Sequence, residues 1–347
     1  MKTRTTGRAL TAFVVVVLAL CAQPARALDK VNVGFANSAT DIGLFIAHKR
    51  GYFAREGIEA NFISFDSAAR MIAPFASGEL DVGGGGPSAG LYNAIARGID
   101  IRIVADKNST PPGRPGQYLL VRKDLIDSGR YKALADLRGM RIAGTAPGGS
   151  ATTTLYKLLE LAKLRISDVE RVYLGFPQQA VALENKAIDA ALPSEPSASI
   201  AVEKGAAVKV MGDDEMYPYH QIAVILYSGH FAKGRPDVAR RFMRAYLRGL
   251  RDYNDALTDG RLTGPAGEAA IAILTEFGPI KDPKIYRGIS MHAAHPDGAL
   301  NVPSLAEDLE IFRAEGLIEG KVSVDQAVDL SFRDMAEREL GPYRGKR

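Results

Sequence analysis

Residues 30–64, KVNVGFANSATDIGLFIAHKRGYFAREGIEANFIS, and residues 139–175, GMRIAGTAPGGSATTTLYKLLELAKLRISDVERVYLG, carry one pattern twice: an apolar strand, a polar loop, a helix and a second strand. Each copy continues in the same order. A short helix (67–78 or 177–186) leads to a strand centred on Asp81 or Asp189. A loop with Pro-Ser or Ser-Glu-Pro follows, then a helix ending at Gly98 or Gly205, and a strand, IDIRIVAD or AAVKVMGD. The separation is about 108 residues, and a repeat of this length organises the whole chain. Strands alternating with helices predict an α/β fold of two doubly wound parallel-sheet lobes, with right-handed crossovers covering both faces of each sheet.

Two passages link the copies to the rest. KNSTPPGRPGQYLLVRKD (107–124) and MYPYHQIAVILYSGHF (216–231) each run from turn residues into an apolar strand, so they read as two crossings that make a two-strand hinge. The expected division is 28–113 plus 227–347 for lobe one and 114–226 for lobe two. The helix DVARRFMRAYLRGLRDYNDAL has Phe242, Ala245, Tyr246, Gly249, Leu250 and Tyr253 on one stripe, which turns it toward lobe one. Arginines 240, 241, 244, 248 and 251 read as its solvated face, and Ser304 with Glu307 reads as a capping box for a later helix.

The amino-terminal segment is a different kind of sequence. Lys2, Arg4 and Arg8 precede an apolar run from Ala9 to Ala22, and Ala25-Arg26-Ala27 has a small-x-small cleavage pattern. This predicts a signal peptide, residues 1–27, cleaved after Ala27, and a periplasmic mature protein. Lipid attachment at Cys21 is the other reading of this segment. Removing Lys2, Arg4, Arg8 and Arg26 leaves basic and acidic residues equal at 40 each, so no global field recruits nucleic acid. The one cysteine lies in the same segment, so the remainder holds no disulfide and no cysteine nucleophile.

Ligands of open α/β sheets bind beyond the carboxyl ends of the strands. Six loops should therefore line an inter-lobe cleft: 37–41, 65–67 and 84–88 from lobe one, 145–152, 176–179 and 193–196 from lobe two. They supply Asn37, Ser38, Asp41, Phe65, Asp66, Ser67, Gly85, Gly86 and Ser88 on one side. Thr145, Gly148, Gly149, Ser150, Thr152, Phe176, Gln178 and Glu195 stand on the other, with Asn108 and His220 at the crossings. Within GTAPGGSATTT, free N–H groups and the positive end of a helix dipole suit an oxyanion; an ordinary N-cap at Ser150 or Thr152 is the plainer reading. The run DVGGGGPSAG (81–90) fits a G-x-G-x-x-A spacing at Gly84, Gly86 and Ala89, but a dinucleotide fingerprint belongs on the first strand of its fold, and strands precede this one. It reads instead as a tight turn whose bare backbone lets a ligand approach. Phe65 and Phe176 hold equivalent repeat positions and could sandwich an apolar guest, with Tyr92, Tyr217 and Tyr219 as further walls. His220 has two readings, cleft floor or satisfied structural histidine. His292 and His295 lack a third ligand, so no metal or cofactor is expected.

The ordered set GYF..EGI, ASGE.DV, DLRG.RIA and IDAAL..EP, carried by 42–86, 136–160, 187–205 and 231–250, resembles the periplasmic substrate-binding proteins of ABC importers for nitrate, alkanesulfonates, taurine and thiamine-precursor pyrimidines. The resemblance implies a type II periplasmic binding protein fold. It also implies capture of a small organic anion of sulfonate, carboxylate or pyrimidine class and delivery to an ABC permease driven by a cytoplasmic ATPase. At Glu195-Pro196 the family carries a ligand-adjacent or cleft-closing residue, and a carboxylate there argues against a bare inorganic anion filling the cleft. No G-x-S-x-G, H-E-x-x-H or P-loop is present, so a monomeric receptor rather than an enzyme is expected, with a sensory ligand-binding protein for a membrane receptor, and behind it an extracytoplasmic enzyme on the same fold, as the alternatives.

Overall fold

The computed structural model describes residues 27–345. The expected signal peptide, apart from Ala27, and Cys21 lie outside these residues. No helix among those described is long and apolar enough to cross a membrane.

Ten strands form two five-stranded sheets. They are β1 (Asp29–Phe35), β2 (Ile58–Ser64), β3 (Val82–Gly85), β4 (Ile101–Asn108), β5 (Tyr118–Arg122), β6 (Arg141–Gly144), β7 (Glu170–Tyr173), β8 (Ala190–Ala191), β9 (Ala207–Gly212) and β10 (Ala223–Ser228). Sheet one has the order β2-β1-β3-β10-β4 and sheet two the order β7-β6-β8-β5-β9. The sheets are mixed, not purely parallel: β10 runs antiparallel to β3 and β4, and β5 antiparallel to β8 and β9. The reason is connectivity. β4 and β9 end at the cleft, and the chain crosses there directly, so the next strand enters its sheet from the cleft side and must run backwards. The boundary expected at 226/227 falls inside β10, all of which pairs in sheet one, so the return precedes Ala223.

Both inserted strands are buried on two faces. In β10, Val224 and Leu226 join one core cluster while Ile225 and Tyr227 join another; in β5, Leu119 and Val121 oppose Leu120. This is period-two alternation with both faces apolar, the pattern of a central strand. Helices that matter below are α1 (Ile42–Lys49), α2 (Ala89–Ala96), α3 (Ser150–Leu161), α4 (Phe176–Glu184), α5 (Ser197–Glu203), α6 (Pro236–Asp255) and α7 (Val302–Ala314). The whole predicted stripe of α6 is buried in the core of lobe one. Its arginines are not a free solvated face: Arg241 pairs with Asp29, Arg244 and Arg248 with Glu56, and Arg251 with Asp297. Burial alone would push the Glu56 carboxyl up, but the Arg244 and Arg248 contacts outweigh it and hold it low. Ser304 lies within α7, whose N-cap is Asn301, and its hydroxyl accepts the Gln221 N–H at 2.9 Å, so it is no capping box.

The glycine run is a strand, not a turn. Gly83 to Gly85 belong to β3, and none of residues 83–86 has a positive φ. What they supply is space. A Cβ on Gly83 would stand 2.8 Å from Phe75, on Gly84 2.9 Å from Lys107 Cε, and on Gly85 2.5 Å from Ala68 Cβ. Gly86 reaches the opposite lobe, where a Cβ would stand 2.4 Å from Ser150 Oγ.

The two crossings are bonded to each other. Thr110 N donates to His220 O at 3.1 Å and Tyr219 N to Thr110 O at 2.8 Å, while Thr110 Oγ1 exchanges bonds with Tyr217 O and His220 N at 2.9 Å each.

Candidate functional site: a closed inter-lobe cavity

The carboxyl ends of the strands face each other across a cavity of about 40 Å³. Lobe one contributes Ser38, Thr40, Ser67, Gly85, Gly86 and Lys107; the crossings bring Asn108 and Gln117; lobe two brings Thr145, Gly149, Ser150, Phe176 and Ser194. The lobes are latched at the rim by backbone. Ala39 N donates to Glu195 O at 3.0 Å, and Ala89 N donates to Gly148 O at 2.8 Å. This is a closed conformation, with the first turns of helices at both latches.

Three buried side-chain atoms on the wall have no partner in the protein: Ser67 Oγ, Asn108 Oδ1 and Gln117 Oε1. Leaving a buried polar atom unpaired costs about 1–3 kcal/mol, so three on one small cavity mark a place made for a polar guest. Helix α3 opens on the same space. Gly149 is its N-cap and Ser150 its first residue, and the first-turn N–H groups of a helix have no intrahelical acceptor. Behind the wall, burial raises the Asp106 carboxyl to about 7 against the donors His295 N and Gln221 Nε2, each at 2.6 Å. Burial likewise raises Asp213 to about 7, where Gly116 N donates to it at 2.8 Å.

Of the predicted site residues, the cavity brings together Ser38, Ser67, Gly85, Gly86, Asn108, Thr145, Gly149, Ser150 and Phe176. The others lie off its wall. Asn37, at φ 53°, ties the ends of β1 and β2 through Ser64 Oγ at 2.7 Å. Asp41 sits one layer deeper, paired with Lys107 at 2.8 Å. Ser88 caps α2 by accepting Leu91 N at 3.1 Å, and Gly148 and Thr152 hold the turn into α3. Asp66 and Gln178 are exposed.

Four expectations need correcting. Glu195 does not offer its carboxylate to the cleft: Lys209 lies 2.5 Å from Oε1, and Ser199 donates to both oxygens, so only its carbonyl meets lobe one. The aromatic sandwich is absent, because Phe65 packs on the core of lobe one while Phe176 alone lines the cavity. Tyr92 is fully buried, its hydroxyl donating to Leu305 O at 3.3 Å. His220 is structural: its ring stacks on Tyr217 at 4.2 Å, and Nε2 faces Asp308 Oδ2 at 2.9 Å. The histidines at 292 and 295 also have local partners, Tyr253 and Asp297.

Sequence reasoning missed Lys107 and Gln117; Thr40 and Ser194 fall within the expected loops 37–41 and 193–196 but were not singled out. A charged residue at the carboxyl end of the buried strand IRIVADKN was the available sign for Lys107, and the crossing position was the sign for Gln117.

Comparison with known proteins follows the same lines. The sequence pattern of the NMT1-like family matches residues 25–256. The chain belongs to the NMT1-like family. An Escherichia coli (strain K12) protein provisionally named as an aliphatic sulfonates-binding protein is 24% identical over 187 residues, 53% of this chain. In that match the chain spans about half the length of the relative, 55%. The nitrate-binding protein NrtA of Synechocystis PCC 6803 superposes with a TM-score of 0.74 at 14% identity, covering 90% of this chain and 89% of that one. The alkanesulfonate-binding protein SsuA of Xanthomonas axonopodis pv. citri, bound to MOPS, gives 0.67 at 20% identity, with 87% and 98% covered. The desulfurization enzyme DSZB gives 0.62 at 19% identity, with 90% and 100% covered. This NMT1-like chain thus has the two-lobed fold of periplasmic binding proteins, and the binding proteins among these are solute receptors by name.

Proposed function

We propose that the protein is a periplasmic receptor that closes two lobes on a small organic anion, a sulfonate or carboxylate first, and presents it as a monomer to an ABC permease and its ATPase. The observation that carries this is the opening of α3 onto the cavity beside the unpartnered Ser67 hydroxyl, while the unpartnered carbonyl oxygens of Asn108 and Gln117 suit a hydrogen-bond donor on the organic part of the guest. The sulfonate reading draws on the name of the Escherichia coli relative. The moving bodies would be residues 28 to about 110 with the chain from Ala223 onward, against the span between, pivoting where Thr110 bonds His220. The expected signal peptide would place the protein in the periplasm.

A second reading, an enzyme, has one observation in its favour, the fold shared with DSZB. Against it, the cavity wall among the described residues holds no histidine, aspartate, glutamate or cysteine. Its one basic group is already held by Asp41, so a general acid and base pair is missing.

Thermal unfolding against sulfonates, carboxylates, nitrate, pyrimidines and dinucleotides tests the receptor. A ligand at about a hundred times its Kd adds roughly 2.7 kcal/mol to a protein that binds it only when folded. A shift with one small solute, recovered unchanged by mass spectrometry, supports the reading. Turnover of the bound compound, or a shift with dinucleotides alone, overturns it.

A further inference from the structure

The cavity wall carries a single charged side chain among the described residues, Lys107. Its charge is spent before any guest enters: Nζ lies 2.8 Å from Asp41 Oδ1, with both side chains at most 1% exposed. An ammonium has three N–H donors. Thr40 Oγ1 takes one at 2.6 Å and Asp41 Oδ1 lies 2.8 Å away as the ion-pair partner, which leaves a donor for the cavity that Lys107 lines. The site therefore offers a donor from a cation without offering net positive charge.

From this pair, and resting on the receptor reading above, we infer that Lys107 is a ligand-binding residue and that Asp41 sets the charge of the guest: the site takes singly charged oxyanions and rejects doubly charged ones. One negative charge is met by the Lys107 donor, the cavity hydroxyls and the N-terminus of α3, whose dipole is equivalent to roughly half a positive charge. A second charge finds no counterion. The carbonyl oxygens of Asn108 and Gln117, buried without donors, supply nothing to offset it. Burying an uncompensated charge is far costlier than burying a hydrogen-bonded neutral group. The size of the cavity cannot perform this discrimination, because tetrahedral oxyanions of one and two charges have nearly the same shape. Asp41 is the discriminating element, although it touches no ligand, and Lys107 is the group through which it acts.

Methanesulfonate and sulfate differ by one charge at nearly constant shape, so isothermal titration of the purified protein with both is the test. Methanesulfonate should bind at least about tenfold more tightly than sulfate, and Asp41→Asn, which uncovers the ammonium charge, should move the ratio at least about tenfold toward sulfate. Sulfate equalling methanesulfonate in the unaltered protein overturns the inference, and needs no variant to fold. A ratio unmoved in a folded Asp41→Asn protein removes Asp41 from the role. Neither probe binding also overturns it, while a larger sulfonate or carboxylate that still raises the melting temperature leaves the receptor standing. If no compound binds, both readings fall.

Discussion

Lobe one and lobe two are alike at one end of their strands and unlike at the other. Away from the cleft, Asp81 Oδ2 accepts Asn32 N at 2.9 Å and Asp189 Oδ2 accepts Arg141 N at 2.9 Å, each joining the strand after the repeat's second helix to its first strand. Each is neutralised by arginine, Asp81 by Arg235 and Asp189 by Arg122 and Arg141. At the cleft, lobe one presents a sealed ion pair behind a bare glycine strand, while lobe two presents the start of a 12-residue helix and no charged side chain on the cavity wall. The shared end is scaffold. On the proposed reading, the divergent end divides the work of holding an anion between a cation that has been neutralised and a dipole that has not.

The sharpest way to break this contrast is to remove one charge from each lobe. Lys107→Met strands the fully buried Asp41 carboxylate, and breaking one partner of a buried pair costs about 3–5 kcal/mol. Arg141→Met removes a side chain that is 36% exposed and leaves Asp189 with Arg122, so it should cost far less. Urea unfolding of both variants reads the difference. Equal losses would mean that the Lys107 site is wetter than the geometry shows.

A second pair of substitutions separates packing within a lobe from packing between lobes. Gly85→Ala drives a methyl to 2.5 Å from Ala68 Cβ inside lobe one, an overpacking that costs roughly 1–3 kcal/mol. Gly86→Ala meets Ser150 Oγ across the cleft at 2.4 Å, which a lobe that opens relieves, and Ile222 O at 3.1 Å, which asks only a small shift. The first should lower the melting temperature. The second should leave it nearly unchanged while small-angle scattering shows an expanded molecule. Expansion by both would show that β3 does not distinguish the lobes.

The glycine run also shows where sequence reading succeeds and fails. The two-lobed fold was legible because its cause is local and periodic: alternating strands and helices, repeated, with turn residues at the joints. The mixed sheets were not, because the direction of β5 and β10 follows from which end of a sheet the chain leaves, a three-dimensional fact. Hydroxyls and small residues on loops, such as Ser67, Thr145 and Ser150, were found because loops at strand ends must face the cleft. Lys107 was missed because it sits in a strand, and Glu195 was over-read because its partner Lys209 stands on β9, invisible to spacing. Phe65 failed for a similar reason: repeat equivalence fixes the backbone position, while neighbouring volume decides where the ring packs.

Lobe two's half of the proposed anion site is tested at Gly149. A Cβ there meets nothing closer than Ala146 O at 3.4 Å, and the residue is the N-cap of α3. Gly149→Asp should therefore keep or slightly raise stability, since aspartate is a favoured N-cap. It should weaken an anionic ligand by about tenfold or more, because the new carboxylate competes for the same first-turn N–H groups. Titration with whichever anion shifts the melting curve decides it, and unchanged affinity would move the anion away from α3.

The smallest effect compares the repeat-equivalent aspartates near the cleft ends of the last strands of the two copies, Asp106 within β4 and Asp213 just after β9. Burial raises both to about 7 from an ordinary value of 3.8. A folded protein that holds a proton more tightly than the unfolded chain is favoured in acid, so the stabilisation from each is complete below 3.8 and is lost as pH rises to about 7. The two differ in what a substitution does. Asp106 uses both oxygens, for Gln221 Nε2 and His295 N, so Asp106→Asn leaves one donor facing another and lowers stability at every pH. Asp213 accepts Gly116 N at Oδ1 while its Oδ2 has no hydrogen-bond partner, so Asp213→Asn keeps that bond. Melting temperatures followed across that window should fall less steeply with pH in Asp213→Asn than in the parent protein. A slope that stays the same would mean that the carboxylate at the second crossing is met by a donor, and that the two ends of the repeat are held by equivalent bonds after all.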